Sequence, residues 1–297
     1  MEQEFTWSPA PDSGITMRWV EANDIRFEVA EAGQGDRLAL CLHGFPELHY
    51  SWRHQMPVLA EMGYRVWAPN MRGYGNSSRP QGYENYDLGK LTADVAELID
   101  ASGAKEVTLI AHDWGAVVAW HFAIKKPRPL ARLVIMNVPH PKCAEREIRK
   151  WRQFSKSWYI FFFQLPRLPE KFLGRGGAAP IIGVFRDSAV NKERFTNADL
   201  KPYRDAASKP GALTAMLNYY RALLRIGDAR EVGEGIVETP TLILWGEKDV
   251  ALDLHCLDAT DSYVPDLTIR RFPDASHWVQ QDIPDQINAA LGEWLAS

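Results

Sequence analysis

Three observations predict an α/β protein with a mostly parallel sheet, flanking helices and an inserted helical cap. Short apolar runs alternate with helix-patterned segments along most of the chain, as in strand–helix–strand crossovers. Several of those runs, such as "LALCLHG" (38–44), are apolar without alternation, the pattern of a strand buried on both faces. The rhythm then stops between about residues 141 and 235, where the chain is Arg/Lys-rich, aromatic and helical, and it resumes at Thr241. The expected division is therefore 1–140 for the first part of the core, 141–235 for the cap and 236–297 for the second part. The hinges are expected near "PHPKC" and "EVGEGIVETP".

The elements follow in order. "MRWVEANDIRFEVAEAGQG" reads as two short strands joined by a turn and ended by glycines. Gly44 stops the 38–44 strand. "WRHQMPVLAEMG" is an amphipathic segment ending at Gly63, a suitable residue just past a helix end. "YRVWAPN" is a strand. "DLGKLTADVAELIDASG" has Asp87 as an N-cap, apolar residues at helical spacing and a closing Gly103. "VTLIAHD" is a strand and "WGAVVAWHFAIKKP" a helix; "ARLVIMNVP" (131–139), "TLILWGEKD" (241–249) and "LTIRRFPDASH" (267–277) are the later strands. "PDQINAALGEWLA" closes the chain as a helix. Within the cap, "REIRKWRQ" reads as a solvated helix face and "GRGGAAP" as a flexible loop rather than a nucleotide cradle, since no strand precedes it.

Composition narrows the function classes. The 297 residues are 46% hydrophobic and 24% charged, ordinary for a globular enzyme. A net charge of -4 gives no case for nucleic acid or an acidic membrane surface. Cys41, Cys143 and Cys256 are far apart, with no CxxC spacing, so a reducing compartment is expected. The start, "MEQEFTWSPAPDSG", lacks the apolar core of a signal peptide, and no run is long enough to span a bilayer; a cytoplasmic protein is expected. No metal-ligand cluster and no phosphate loop is visible, so neither metal nor cofactor is expected.

The chemistry gathers at "LIAHDWGAVVAW" (109–120), where a carboxylate, Asp113, stands at the corner between a buried strand and a buried helix. Ala111 and Gly115, two residues before and after it, are small, as a sharp strand-to-helix turn requires. The central side chain then projects at a helix N-terminus, which favours negative charge. Plain helix capping is the competing reading. Asp249 after "LILWGEK" and His277 in "PDASHW" lie just beyond the ends of two later strands, where parallel sheets place their sites. Glu247 and Asp274 are weaker rivals to Asp249. Nucleophile, acid, histidine is also the chain order of one large hydrolase fold.

On these residues the chain resembles an epoxide hydrolase of the α/β-hydrolase fold family. "HGFPELHYSWR" (43–53), "RGYGNSSRP" (72–80), "HDWGA" (112–116), "NVPHP" (137–141), "GEKD" (246–249) and "SHW" (276–278) stand where that family has its signatures, over roughly residues 17 to 297. The resemblance implies Asp113 as nucleophile, His277 as base oriented by Asp249, and an oxyanion hole from the backbone N–H groups of Phe45 and Trp114. It also implies a cis peptide before Pro46, and Tyr159 and Tyr220 as acids toward the opening ring oxygen. Tyr219, beside Tyr220, points about 100° away on a helix. In the family pattern the strand before Arg72 ends in Asp; here it ends in Asn70, which bears on hydrogen bonding beneath the site. His43 and His112 read as structural, and His140 as pocket, surface or hinge.

The alternative within the fold is a haloalkane or fluoroacetate dehalogenase using the same Asp. Phe45 offers no side-chain donor to a halide, fluoroacetate dehalogenases have Arg where Trp114 stands, and Tyr159 replaces their Trp. A non-catalytic binding member of the fold is a further reading, against which the complete set of site residues argues. Trp52, Phe161, Phe162, Leu165 and Trp278, with Phe45 and Trp114, suggest an apolar pocket, so the expected partner is a small apolar aryl or alkyl epoxide. The chain is expected to work as a monomer or homodimer.

Overall fold

In the central strands both faces are apolar and successive residues go to opposite sides. Leu38, Leu40 and Leu42 join one core cluster; Ala39 and Cys41 join the other. Leu109 and Ala111 against Ile110, and Ile243 and Trp245 against Leu242 and Leu244, repeat the split. Such strands need cover on both sides. The computed structural model, which describes residues 4–227 and 232–297, meets that need with one eight-stranded sheet. In chain order the strands are β1 (Ile15–Ala22), β2 (Ile25–Ala32), β3 (Arg37–Leu42), β4 (Arg65–Pro69), β5 (Glu106–His112), β6 (Arg132–Met136), β7 (Thr241–Gly246) and β8 (Leu267–Phe272). Their order across the sheet is β1-β2-β4-β3-β5-β6-β7-β8. The β1–β2 hairpin and the β2–β4 pair are antiparallel and all other pairs are parallel.

Helices Leu88–Ser102 and Trp114–Lys125 pack on one face, Met56–Glu61 and Pro284–Ala296 on the other. The first behaves as its sequence implies: the Lys90 N–H donates to Asp87 Oδ1 at 2.9 Å, and Gly103 ends the helix in the left-handed region. "WRHQMPVLAEMG" is less regular than expected, a single tight turn at His49–Trp52 followed by a short helix, with Pro57 at its N-terminal turn.

Between β6 and β7 the chain is helical and, among the described residues, holds no strand. Its helices are Pro141–Glu147, Trp151–Lys156, Trp158–Phe162, Leu168–Leu173, Arg175–Ser188, Asn197–Ala207 and Ala212–Arg225. Glu231, at the start of the expected second hinge, lies outside the described residues. Two expectations are corrected here. "GRGGAAP" is not a loop but a left-handed turn at Gly176, Gly177 and Ala178 that leads straight into helix, with Ala178 fully buried. "REIRKWRQ" is not a plain solvated face: its Glu147 is buried and accepts hydrogen bonds from Arg146, Lys150 and Arg152, each at 2.8 Å. Burial pushes that carboxyl up, but the three cations outweigh it and hold it at about 2.

Candidate active site

β5 ends at His112 and helix Trp114–Lys125 starts immediately after Asp113, whose backbone sits at φ 47°, ψ −122°. That region is costly for a residue with a side chain and persists only where the surroundings over-determine it. Two glycines allow the crowding. A Cβ on Gly115 would lie 2.3 Å from the Leu42 carbonyl oxygen, and one on Gly44 would lie 2.2 Å from Asp113 Cβ. The loop after β3 therefore runs directly against Asp113, and the Phe45 N–H donates to Asp113 Oδ1 at 2.6 Å. The Phe45–Pro46 peptide is cis. The Asp113 side chain makes no capping bond to its own helix, which removes the capping reading. Trp114, the first helical residue, offers its N–H at the positive end of the helix.

From the ends of β7 and β8 two further groups converge. His277 Nε2 faces Asp113 Oδ2 at 3.4 Å, and His277 Nδ1 donates to Asp249 Oδ2 at 2.6 Å. Asp249 also accepts from the N–H groups of Ala251 and Leu252 and from Asn137 Nδ2. Glu247 is drawn off by Arg271 at 2.8 Å, and Asp274 is exposed. Burial drives the His277 pKa down, but the two carboxylates flanking it prevail and raise it to about 10. Burial drives Asp113 and Asp249 up, and His277 more than offsets this, leaving both below the ordinary carboxylate range.

Two supports escaped sequence reasoning. Asn137, at φ 46°, binds both Gly246 and Asp249 and so ties β6 to the acid. Glu47, fully buried, accepts from the Gly44 N–H, Gln280 and Gln281, and lies 2.7 Å from His112 Nδ1. His112 Nε2 in turn meets the His277 carbonyl at 2.9 Å. One carboxylate thus links the oxyanion loop to the backbone of the histidine. A lone Glu in "HGFPE" carries no local signal for this, because its partners come from the far end of the chain.

A cavity of about 330 Å³ opens above Asp113 and Trp114, and Tyr159 and Tyr220 line it. Their rings meet edge-on at 6.0 Å, and Tyr220 stands perpendicular to Trp114 at 5.0 Å. Burial and the nearby Asp113 charge raise both phenol pKa values, so both hydroxyls keep their protons. Tyr219 turns away, as its helical position implies, and donates to the Arg72 carbonyl at 2.7 Å.

The expected apolar lining is largely displaced. Trp52 is fully buried in the core on the opposite face of the sheet. Trp278 packs on Phe185 at 4.5 Å and donates to Ser188 Oγ, a contact between the sheet edge and the helical insertion. Phe161 and Leu165 are 49% and 44% exposed, on the outer side of the insertion. The lining instead includes Val117, Trp120, Ile148, Ile160, Leu223 and Leu252. Helical spacing carries a signal for three of these. Val117 and Trp120 lie four and seven residues after Asp113, and Leu223 lies three after Tyr220, so they share a face with the site residues.

The remaining polar expectations resolve simply. His43 is locked between the Gly44 carbonyl and the Met71 N–H. His140 does not line the cavity; it is buried, stacked on Tyr263 and bonded to the Gly235 carbonyl. Asn70 Nδ2 donates to buried Glu28 at 2.7 Å while Asn70 Oδ1 accepts from the His49 N–H. An Asp there would set two carboxylates face to face, so the amide fits this chain's Glu28. Among the described residues no cluster could hold a metal ion, and no helix is long and apolar enough to cross a membrane.

Comparison with known proteins agrees with this geometry. The alpha/beta hydrolase fold family matches residues 40–282. Epoxide hydrolase 1 of Caenorhabditis elegans is 34% identical over 288 residues, covering 95% of this chain and 70% of that protein. Epoxide hydrolase A of Mycobacterium tuberculosis is 33% identical, covering 94% and 97%. A crystal structure of a mutant epoxide hydrolase from Bacillus megaterium superposes with a TM-score of 0.87 at 30% identity, covering 94% of this chain and all of that one. With its Asp elbow, histidine and sheet order in place, the chain belongs to the α/β-hydrolase fold family, in the group of its epoxide hydrolases.

Proposed function

We propose that the protein hydrolyses a small apolar epoxide to a vicinal diol through an alkyl ester on Asp113. The carrying observation is the convergence of Asp113, the Phe45 N–H, His277 and two protonated tyrosines on one largely apolar cavity. Residues 141–235 act as its lid, set into a core made of 1–140 and 236–297.

Asp113 Oδ2 attacks a ring carbon, the C–O bond breaks, and the departing oxygen takes a proton from Tyr159 or Tyr220. Esterification removes the Asp113 charge, one of the two that hold the proton on His277. The imidazole then yields that proton, which restores the phenol, and becomes a base when a base is needed. Neutral His277 takes a proton from water, whose oxygen attacks Asp113 Cγ. The Phe45 and Trp114 N–H groups hold the resulting oxyanion. Collapse breaks the bond from Cγ to the diol oxygen, which takes the proton from His277, and the carboxylic acid left on Asp113 passes its own proton to His277, restoring the starting pair.

The test is intact mass measurement of His277→Gln after epoxide exposure. An adduct equal to the substrate's mass, mapped to the peptide holding Asp113, is expected. A haloalkane would instead add its alkyl group without halide, which separates dehalogenation from ring opening. If no adduct forms with an epoxide that the wild type turns over, direct attack by water replaces the two-step route.

A further inference from the structure

The stretch "WYIFFF" and its neighbours are only partly used by the cavity. The helix Trp158–Phe162 turns Tyr159 and Ile160 inward and leaves Trp158 65% and Phe161 49% exposed. Trp151, at 77%, is the most exposed large apolar side chain of the described residues. These rings form two strings that run side by side through the neighbouring residues Phe161 and Phe162: Trp151 meets Phe154 at 6.0 Å and Phe154 meets Phe161 at 5.5 Å, while Trp158 meets Phe162 at 6.1 Å and Phe162 meets Phe172 at 6.0 Å. An exposed patch of this kind marks a contact surface.

Charge indicates what it contacts. Residues 141–175 carry nine Lys or Arg against three Glu, a net +6 in a chain whose total is -4. The net charge hides this segregation. Arg146, Lys150 and Arg152 are tied to buried Glu147, Arg149 pairs with Glu145, and Arg152 and Lys156 also face Asp253 from outside the segment. Arg167, Lys171 and Arg175 are exposed around the far end of the patch, with Arg175 over the Phe172 ring. Exposed Trp and Phe interleaved with Lys and Arg suit the boundary between acyl chains and anionic headgroups. A second copy of the chain would bring Arg167, Lys171 and Arg175 against their own counterparts, two positive faces together.

We propose that this aromatic and basic outer face of the helical insertion docks on the surface of an anionic lipid bilayer. Docking sets the underside of the same helix, with Tyr159 and Ile160, directly beneath the bilayer contact. Vesicle binding is read without reference to catalysis, so its failure is distinct from failure of the hydrolase reading.

Full-length protein is floated with vesicles of phosphatidylcholine alone and of phosphatidylcholine mixed with phosphatidylglycerol. It is expected to rise with the mixed vesicles, less with the neutral ones, and less in high salt. Trp151→Ser with Trp158→Ser should lose binding about tenfold or more while keeping its circular dichroism and its diol formation from a water-soluble epoxide. Lys171→Glu with Arg175→Glu leaves the tryptophans in place and should weaken binding to the mixed vesicles by well over about fivefold. In the wild type, brominated acyl chains should quench part of the tryptophan emission. The proposal is overturned if the wild type floats with neither kind of vesicle, if bromine gives no quenching, or if binding ignores both double substitutions. It is equally overturned if the tryptophan variant dissolves a dimer of a protein that binds no vesicles, which would assign the face to a second copy.

Discussion

The carboxyl edge of the sheet and the helical insertion face each other across one cavity, and they hold their side chains by different means. At the sheet edge, Asp249 accepts four hydrogen bonds, Asn137 spans two strands, and Glu47 gathers groups from residues 44 to 281. Across the cavity, Tyr159 and Tyr220 are set by edge-on ring contacts with each other and with Phe163. Ten of the thirteen large apolar side chains exposed among the described residues also lie in the insertion. Directional bonds fix charge where charge reacts; ring packing fixes shape and tolerates repacking. The sheet edge should therefore fail abruptly when altered, and the insertion by degrees.

The sharpest break is Asp113→Ala. Turnover of any epoxide should fall by on the order of 10⁴ or more, while the far-ultraviolet spectrum stays native. Activity within tenfold of wild type would refute the nucleophile. Next, Tyr159→Phe and Tyr220→Phe should each slow ring opening by roughly 10²-fold, with the double variant nearly inactive. Single-turnover formation of the Asp113 ester checks this; equal rates in the double variant and wild type would take the tyrosines out of the chemistry.

Smaller effects sharpen the contrast. Asn70→Asp sets a carboxylate against buried Glu28 and should lower stability by about 1–3 kcal/mol, read from urea midpoints. Asn70 does not line the cavity, so kcat should hold. A further contrast lies in pH. The folded pKa of His277 is raised from 6.5 to about 10, so the stability it contributes is complete below pH 6.5 and lost as pH rises through 10. Wild-type urea midpoints should decline across that window more steeply than those of His277→Gln. Parallel declines would mean that the imidazolium between the two carboxylates is not a source of stability.

Much of the sheet side was legible because its signals are local. Period and turn chemistry mark the strands, small residues flank Asp113, and Asp249 and His277 lie three and five residues past the ends of β7 and β8. The insertion was legible as helix but not in its packing. Gly176, Gly177 and Ala178 look like a loop until Ala178 is seen buried, and Glu147 looks solvated until three cations close on it.

Residue order alone determined the strand sequence, the sharp elbow and the placing of Asp113, Asp249 and His277 just past strand ends, because each rests on neighbours a few residues apart. Only the tertiary structure decided which aromatics meet the cavity. Trp52 went beneath the sheet, Trp278 to the insertion and Phe161 to the surface, while Val117, Trp120 and Leu252 lined the space above Asp113. Hydrophobicity says that a side chain seeks cover without saying whose. That choice depends on how the helices between β6 and β7 cross the sheet, a contact between segments far apart in the chain.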